Sequence, residues 1–555
     1  MLRLTLRVVS LLTILAPLAS AQLVGGVWED AGLFEGTAVD DHFGYSLAGG
    51  GDYDGDGTPD WLVGSHHAVR PGSEENGKVQ VISGADGSVL ASTFGSRWDR
   101  LGSSVAWIGD IDGDGKDDFV AGAIYGSNPN TGVIIAGRVY VWSSAIGGVL
   151  RVHYGTTQAQ RYGGDVAAGQ DLDLDGVNDY LVGARHSVVN GVALGSVFAY
   201  SGATGALLLR VDGQGSYEFF GAAVDFAGDV DGDGTPDLLV GSAKANASAG
   251  FASVYSGATG AQILQIVGNG TENLGGDVAG IGDIDGDGFA DLLIGAPAAN
   301  GVGAAYVYSG FSGTLLHQFD GAAGTQLGFG LSVAGDVDGD GELDLLVGAP
   351  GATPADTGFV RLYTASTGAL IKELSSAVPG DAFGRSTAGL GDLDGNGTAE
   401  FVVGAHQATS SGGNAWAGQA HLYSFNPILH TDLIEMGALA GGQVDCQFDF
   451  PASEAGKLYA VVVSYSGLGP TNHAGIDLPL TQDLLFNRTV SGDWPRIFTA
   501  PHGVLDANGD GSTLYLGDAL WLTPRIGETF HGCVVSYDFL GARLVSVARP
   551  LTILP

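Results

Sequence analysis

Positive charge is scarce in this chain. Of 555 residues only 22 are Lys or Arg, against 61 Asp or Glu, and the formal net charge is −39. Nucleic acid is thereby argued against as a partner, because phosphate binding needs a basic face. Anionic membrane surfaces are argued against for the same reason. Long apolar runs are missing after the N-terminal stretch, so no membrane insertion is expected. Charged residues make up only 15%, yet 45% of the chain is hydrophobic, which is enough for a sizeable core. Glycine is abundant, at 95 residues. It lacks a three-residue period, which excludes collagen. Neither a Gly-x-Ser-x-Gly elbow nor a His-Glu-x-x-His helix motif occurs, so two common hydrolase signatures are absent. Cysteine occurs twice, at Cys446 and Cys533. In an exported chain such an even pair suggests one disulfide.

Export is itself an expectation from the N-terminus. Arg3 and Arg7 precede an apolar stretch from Val8 to Leu18, and Ala19-Ser20-Ala21 has the small-x-small pattern of a cleavage site. Residues 1–21 are therefore read as a signal peptide. The mature chain is expected to be secreted or extracellular, with the cell surface or periplasm as variants, and monomeric.

What is present is a repeat. Phe43, Leu101, Tyr162, Phe220, Leu274, Leu327 and Phe383 are each followed by Gly, at spacings between 53 and 61 residues. Nine residues after each start begins an acidic loop, Asp-x-Asp-x-Asp-Gly-x-x-Asp or a near copy. A short apolar run ending in Gly follows each loop, as in Trp61-Leu62-Val63-Gly64. Next comes an alternating aromatic run such as Ala305-Tyr306-Val307-Tyr308, a Gly turn, and a further apolar run. Four short strands per unit, bounded by Gly and Asp turns, are an all-β signal. Seven such units describe a propeller. The seventh unit stops after its third strand, and a strand-like run precedes the first unit near Val27 to Gly36. That N-terminal run is expected to complete the last blade and remove an exposed edge. The expected organisation is all-β: a seven-bladed propeller over 22–427, then a small β-sandwich over 428–555 that contains both cysteines.

The loops carry the clearest chemistry. They comprise Asp52, Asp54, Asp56 and Asp60; Asp110, Asp112, Asp114 and Asp118; Asp171, Asp173, Asp175 and Asp179; and Asp229, Asp231, Asp233 and Asp237. The remaining three are Asp283, Asp285, Asp287 and Asp291; Asp336, Asp338, Asp340 and Asp344; and Asp392, Asp394, Asn396 and Glu400. Positions one, three and five offer side-chain oxygens, position seven a backbone carbonyl, and position nine a late acid. The Gly at position six permits the sharp turn. All-oxygen donors favour Ca²⁺ over zinc or copper, and Mg²⁺ prefers to keep its waters. About seven structural calcium sites are expected, the seventh being the weakest because Asn396 lowers its charge.

The Phe-Gly starts, the acidic loops, and Gly295-Ala296-Pro297 and Gly348-Ala349-Pro350 make these units similar to the FG-GAP repeats of the integrin α-subunit propeller. The resemblance covers roughly residues 27 to 425. It implies a seven-bladed propeller with calcium in loops on one face and a ligand on the other. The long leg domains and transmembrane segment of that family have no counterpart in the sequence, so a secreted bacterial-type FG-GAP protein is the nearer analogue.

The leading functional reading is a binding or adhesion module for an extracellular carbohydrate or protein ligand. The connections on the face opposite the acidic loops hold His66, His67, Trp98, Tyr125, Arg185, His186, Tyr217 and Trp416. Exposed aromatics among polar groups suit such recognition, although any one of them alone reads better as a loop residue packing locally. A polysaccharide lyase or hydrolase on a propeller is the alternative. His66, Arg185 and His186 could serve there, but their spacing is not diagnostic, so catalysis is the weaker reading. A purely structural surface protein is the third.

Overall fold

The computed structural model describes residues 26–427 except 216, 217, 352 and 354, together with backbone strands between 430 and 554. Over 26–427 it is a ring of seven four-stranded antiparallel sheets. Blade 1 consists of Phe43–Gly51, Asp60–Ser65, Lys78–Ile82 and Val89–Phe94, paired in chain order. Blades 2 to 6 repeat that order, and blade 3 adds a two-residue hairpin, Val188–Val189 with Val192–Ala193.

Blade 7 is assembled from both ends of the ring. Its first three strands are Phe383–Gly391, Glu400–Ala405 and Gln419–Pro427. The fourth is Gly26–Glu35, antiparallel to the third, with Trp28 opposite Phe425 and Phe34 opposite Ala420. Packing explains why this strand docks. The Trp28 ring meets Phe425 at 5.0 Å and Phe401 at 6.3 Å, while Phe34 meets Trp61 of blade 1 edge-on at 4.8 Å. Its apolar side chains thus seal a sheet edge that would otherwise be open.

The repeat start and the end of the second strand are one device. The start residues Phe43, Leu101, Tyr162, Phe220, Leu274, Leu327 and Phe383 are all buried. A Cβ added to Gly64, the Gly closing the apolar run of blade 1, would collide with the carbonyl oxygen of Gly102, which follows the start residue of blade 2. The same collision recurs from blade to blade and finally joins Gly404 to Gly44. Backbones approach this closely only where neither position carries a side chain. Apolar second strands on either side then fill one continuous inter-blade core, such as Leu62, Val79, Val81, Leu101, Val105 and Phe119.

The first strands face the axis and line a channel of about 610 Å³. Side-chain hydrogen bonds fasten these inner strands in two ways. Ser46, Ser104 and Ser386 donate to a backbone carbonyl of the next blade, at Gly102, Gly163 and Gly44. Asp165, Asp225 and Asp277 instead accept from backbone N–H groups of the next blade, at Val224, Gly280 and Leu331.

Beyond residue 427, Gln443–Asp449 pairs antiparallel with Asp510–Leu516, and Leu458–Ser464 with Thr529–Asp538. Cys446 and Cys533 lie on these two separate sheets. The proposed sandwich packing and disulfide concern side chains outside the described residues, as does the signal peptide of 1–21.

Candidate functional site

Because strands in a blade alternate in direction, the loop joining strands one and two leaves at one end of the ring. The connections joining strands two to three, and one blade to the next, leave at the other. The two ends differ in chemistry.

At the first end stand the seven acidic loops, each prefolded by its own first acid. In blade 1 Asp52 Oδ1 accepts from the N–H of Gly55 at 2.7 Å and of Asp56 at 3.1 Å, and Oδ2 accepts from Gly57 at 3.0 Å. Equivalent bonds hold Asp110, Asp229, Asp283, Asp336 and Asp392. The acid at position five turns back on the loop, as where Asp56 Oδ1 accepts from Thr58 N–H at 2.7 Å. Oxygens of positions one, three and nine then converge. Asp52, Asp54 and Asp60 each offer one within 4.8 Å of the others, and so do the corresponding trios of blades 2, 3 and 4. Hard oxygen donors at this separation fit a calcium-sized cation, so these clusters could hold ions.

The late acid has a second task. Asp237 is fully buried; its Oδ2 accepts from Val230 N–H at 2.8 Å and its Oδ1 from Gly257 N–H at 3.0 Å. It thereby ties the acidic loop to the turn between strands three and four. Asp60, Asp118, Asp179 and Asp291 make the same pair of bonds. Burial pushes Asp60, Asp118, Asp179 and Asp237 up to about 6. Two blades depart. In blade 6 the turn N–H of Ala365 goes to the Leu343 carbonyl, leaving Asp344 Oδ1 buried without a partner. Blade 7 has no such turn, since its fourth strand comes from the N-terminus, and Glu400 Oε1 is likewise unpartnered. Burial pushes Asp344, which keeps one backbone donor, up to about 8, and Glu400 up to about 7. A cation beside these carboxylates would supply the missing counter-charge. Asn396 keeps the loop form, its Oδ1 accepting from Thr398 N–H at 2.8 Å.

Neighbouring loops are also stitched together. The N–H of Asp117, Ala290 and Ala399 donates to the carbonyl of Asp52, Asp229 and Asp336 in the preceding blade.

The opposite end gathers rings and cations around the channel mouth. Tyr125 lies between two guanidinium groups, Arg161 at 3.9 Å from its centroid and Arg100 at 4.5 Å. Arg385 sits over Tyr45 at 4.6 Å and over Phe329 at 4.8 Å, and its Nη2 donates to the Tyr45 hydroxyl at 2.9 Å. Arg185 and Arg385 line the channel. Arg161 keeps Nε and Nη1 buried without a partner. Burial draws Arg185 below its ordinary value, and the charge of Arg161 adds to this. Farther down the channel, burial pushes Asp165 up to about 8, Asp277 to about 7 and Asp225 to about 6.

The residues singled out in the sequence fall out as follows. His66 is buried against Tyr45 at 3.6 Å, and His67 lies 4.2 Å from His66, ring to ring. Trp416 is 56% exposed, its ring centroid 6.0 Å from that of His42 in an edge-on arrangement. Tyr125 and Arg185 join the arginine group. His186 packs on Phe219 at 4.9 Å. Trp98 is 49% exposed and meets Arg97 of its own loop at 5.8 Å. Tyr217 lies outside the described residues. Sequence reasoning passed over Asp40, His42, Tyr45, Arg161, Arg385 and His406. A signal existed: where blades 5 and 6 carry Pro297 and Pro350 after Gly-Ala, blades 1, 3 and 7 carry His66, Arg185 and His406.

Comparison with known proteins agrees with this architecture. The FG-GAP repeat model matches residues 43–82, 275–308, 328–363 and 383–423, which are blades 1, 5, 6 and 7. Integrin alpha-5 of Xenopus laevis is 33% identical over 216 residues, 36% of this chain and 20% of that protein. Integrin alpha pat-2 of Caenorhabditis elegans is 31% identical over 236 residues, 38% and 18% of the two chains. Human Integrin alpha-IIb is 32% identical over 227 residues, 37% and 20%. The matched stretch spans about a fifth of each of these relatives. Among the described residues no helix is long and apolar enough to cross a membrane. The chain is a seven-bladed β-propeller carrying FG-GAP repeats, similar in part to the integrin alpha-subunits.

Proposed function

We propose that the propeller is a calcium-stabilised extracellular binding module, its ligand a protein or carbohydrate held on the face opposite the acidic loops. The observation that carries this reading is the concentration of arginine at one rim. A chain with 22 basic residues and a net charge of −39 sets Arg100, Arg161, Arg185 and Arg385 around Tyr45 and Tyr125 at the channel mouth. Guanidinium groups stacked on rings, with donors of Arg161 and Arg385 still unpartnered while Arg100 is held by Glu75, suit a ligand that presents carboxylate or sulfate groups. Aromatic and arginine side chains are also the types that dominate binding energy at interfaces. Likeness to integrin alpha-subunits favours the protein arm.

The calcium sites are proposed for all seven loops, with a supporting role. Their cations would hold neighbouring blades in register and leave the rim free for recognition. The test is an array of extracellular glycans and matrix proteins probed with the whole chain in calcium. Binding should be selective, should weaken with salt, and should fall at least tenfold in the Arg161→Ala, Tyr125→Ala double variant without loss of the calcium-dependent melting shift. Binding that survives this double variant and the Arg385→Ala change would remove the rim as the ligand face.

A further inference from the structure

Where blade 7 meets blade 1, on the same rim, four imidazoles crowd one carboxylate. Asp40 and His42 precede the first strand of blade 1, His66 and His67 follow its second strand, and His406 follows the second strand of blade 7. The His42 ring lies 4.5 Å from His67, 5.3 Å from His66 and 5.4 Å from His406. His42 Nε2 is 2.8 Å from Asp40 Oδ1, and His67 Nδ1 is 3.5 Å from Asp40 Oδ2. Asp40, His42 and His67 each bring one ligand atom within 4.8 Å of the other two.

Two further facts make this more than a packed histidine cluster. The Nδ1 atoms of His42, His66, His67 and His406 are all buried without a hydrogen-bond partner. Buried polar atoms are normally paired, so four unpaired nitrogens in one cluster call for an explanation. The backbone also ties this segment across the closing seam. Asp40 and His42 both have positive φ, 66° and 56°, and their N–H groups donate to Ala415 and Trp416 carbonyls of blade 7.

We infer that Asp40, His42 and His67 form a second kind of metal site, one for a divalent transition metal of the zinc class. Two imidazoles and one carboxylate make a donor set that suits zinc or ferrous iron and not calcium. The 3.5 Å between Asp40 and His67 is close to the edge of a tetrahedron with bonds of about 2.1 Å. Between Asp40 and His42 the cation would take the place of the shared proton. His66, with its buried Nδ1 beside the His67 ring, is the nearest further donor. The metal would bridge the segment that starts the ring to the loops that end it, and so act as a clasp on ring closure. This inference stands whether or not the rim binds a ligand.

The test uses the whole chain with calcium in excess, so that the acidic loops are occupied. Zinc is titrated in competition with a chromophoric chelator, and cobalt(II) absorption reports the ligand field. One equivalent of zinc should bind, cobalt should give the visible bands of a four- or five-coordinate site, and zinc should raise the melting temperature above the calcium-saturated value. Asp40→Asn and His67→Ala should each weaken zinc by more than the 10- to 100-fold typical of outer-shell changes. Asn tolerates the positive φ of position 40, and His67 is partly exposed, so both variants should keep their calcium-dependent melting. Zinc uptake unchanged in both variants, or cobalt bands that persist in His67→Ala, would overturn the site.

Discussion

The late acid of each loop can be separated experimentally from the other ligands, because it does two jobs. Consider blade 4. Asp237→Ala removes an oxygen from the converging trio and also strands the N–H groups of Val230 and Gly257, which it accepts at 2.8 and 3.0 Å. Each buried donor left unpaired costs about 1–3 kcal/mol. The variant should therefore lose about 2–6 kcal/mol even in chelator, before any loss of cation binding. Asp231→Ala removes an equivalent trio oxygen, but Asp231 is exposed and accepts only from the N–H of Asp233, at 3.2 Å. In chelator it should cost less than about 1 kcal/mol. In calcium both should lose stability, since a ligand bound to the folded state alone contributes in proportion to its occupancy. The assay is thermal melting followed by circular dichroism, for the two variants and the parent, in calcium and in chelator. The expected pattern is a large Asp237→Ala shift in both buffers and an Asp231→Ala shift in calcium only. Equal shifts in chelator would refute the reasoning, by showing that the late acid acts through the cation alone. A parent protein whose melting ignores chelator would remove the structural cation altogether.

Three further outcomes follow from the same geometry. Deleting residues 26–35 strips blade 7 of its fourth strand and exposes the edge of Gln419–Pro427; sedimentation should show association and melting should fall, and a monomer with unchanged melting would mean the ring closes without it. Asn396→Asp would add charge to the seventh loop while setting a carboxylate 3.4 Å from the Phe425 carbonyl; the melting gap between calcium and chelator should widen, and a narrower gap would contradict the oxygen-ligand role. Asp165, pushed up to about 8 in the folded chain, keeps a proton that the unfolded chain loses near 4. Its contribution to stability is complete below about 4 and is lost as pH rises through about 8. Asp165→Asn cannot lose that proton, so its stability should gain on the parent between about pH 4 and 8, by at most about 1.4 kcal/mol per pH unit, and level off above that. A difference independent of pH would place the Asp165 titration elsewhere.

Much of the fold was legible because the repeat puts its constraints in residue types that leave a trace. The Phe-Gly start needs a large apolar plug and then a glycine that tolerates the approach of the next blade, and the sequence shows both seven times. The acidic loop needs an oxygen at each of its positions, which fixes its spelling. Even the shared blade 7 could be read, since a unit without a fourth strand must find one, and Trp28 and Phe34 stand ready in the run before the first repeat. The double role of the late acid could not be read. Asp at position nine looks the same whether it faces a cation, the turn of Gly257, or both, and the orphaned oxygens of Asp344 and Glu400 arise from turns elsewhere in their blades.

The rim was hidden for a different reason. Its residues are set by departures from the repeat, and they come from positions far apart in the chain. His42, Arg100 and Arg161 each precede a repeat start, at the position held by Phe219, Asn273, Gln326 and Ala382 in the other blades. That position has positive φ in all seven blades, so the backbone delivers whatever side chain it carries to the same place at the channel mouth. The positions after Gly-Ala or Gly-Ser behave in the same way, bringing His66, Arg185 and His406 inward where Pro would only stiffen the turn. Fold and function thus divide along the repeat. Invariant positions build the ring and prefold its acidic loops, while a few variable positions, fixed in space by that ring, collect histidine and arginine at one end of an otherwise acidic protein. A substitution at a variable position should accordingly change what the rim binds and leave the blades intact. One at a repeat glycine such as Gly404, whose added Cβ would strike the Gly44 carbonyl across the closing seam, should open the ring.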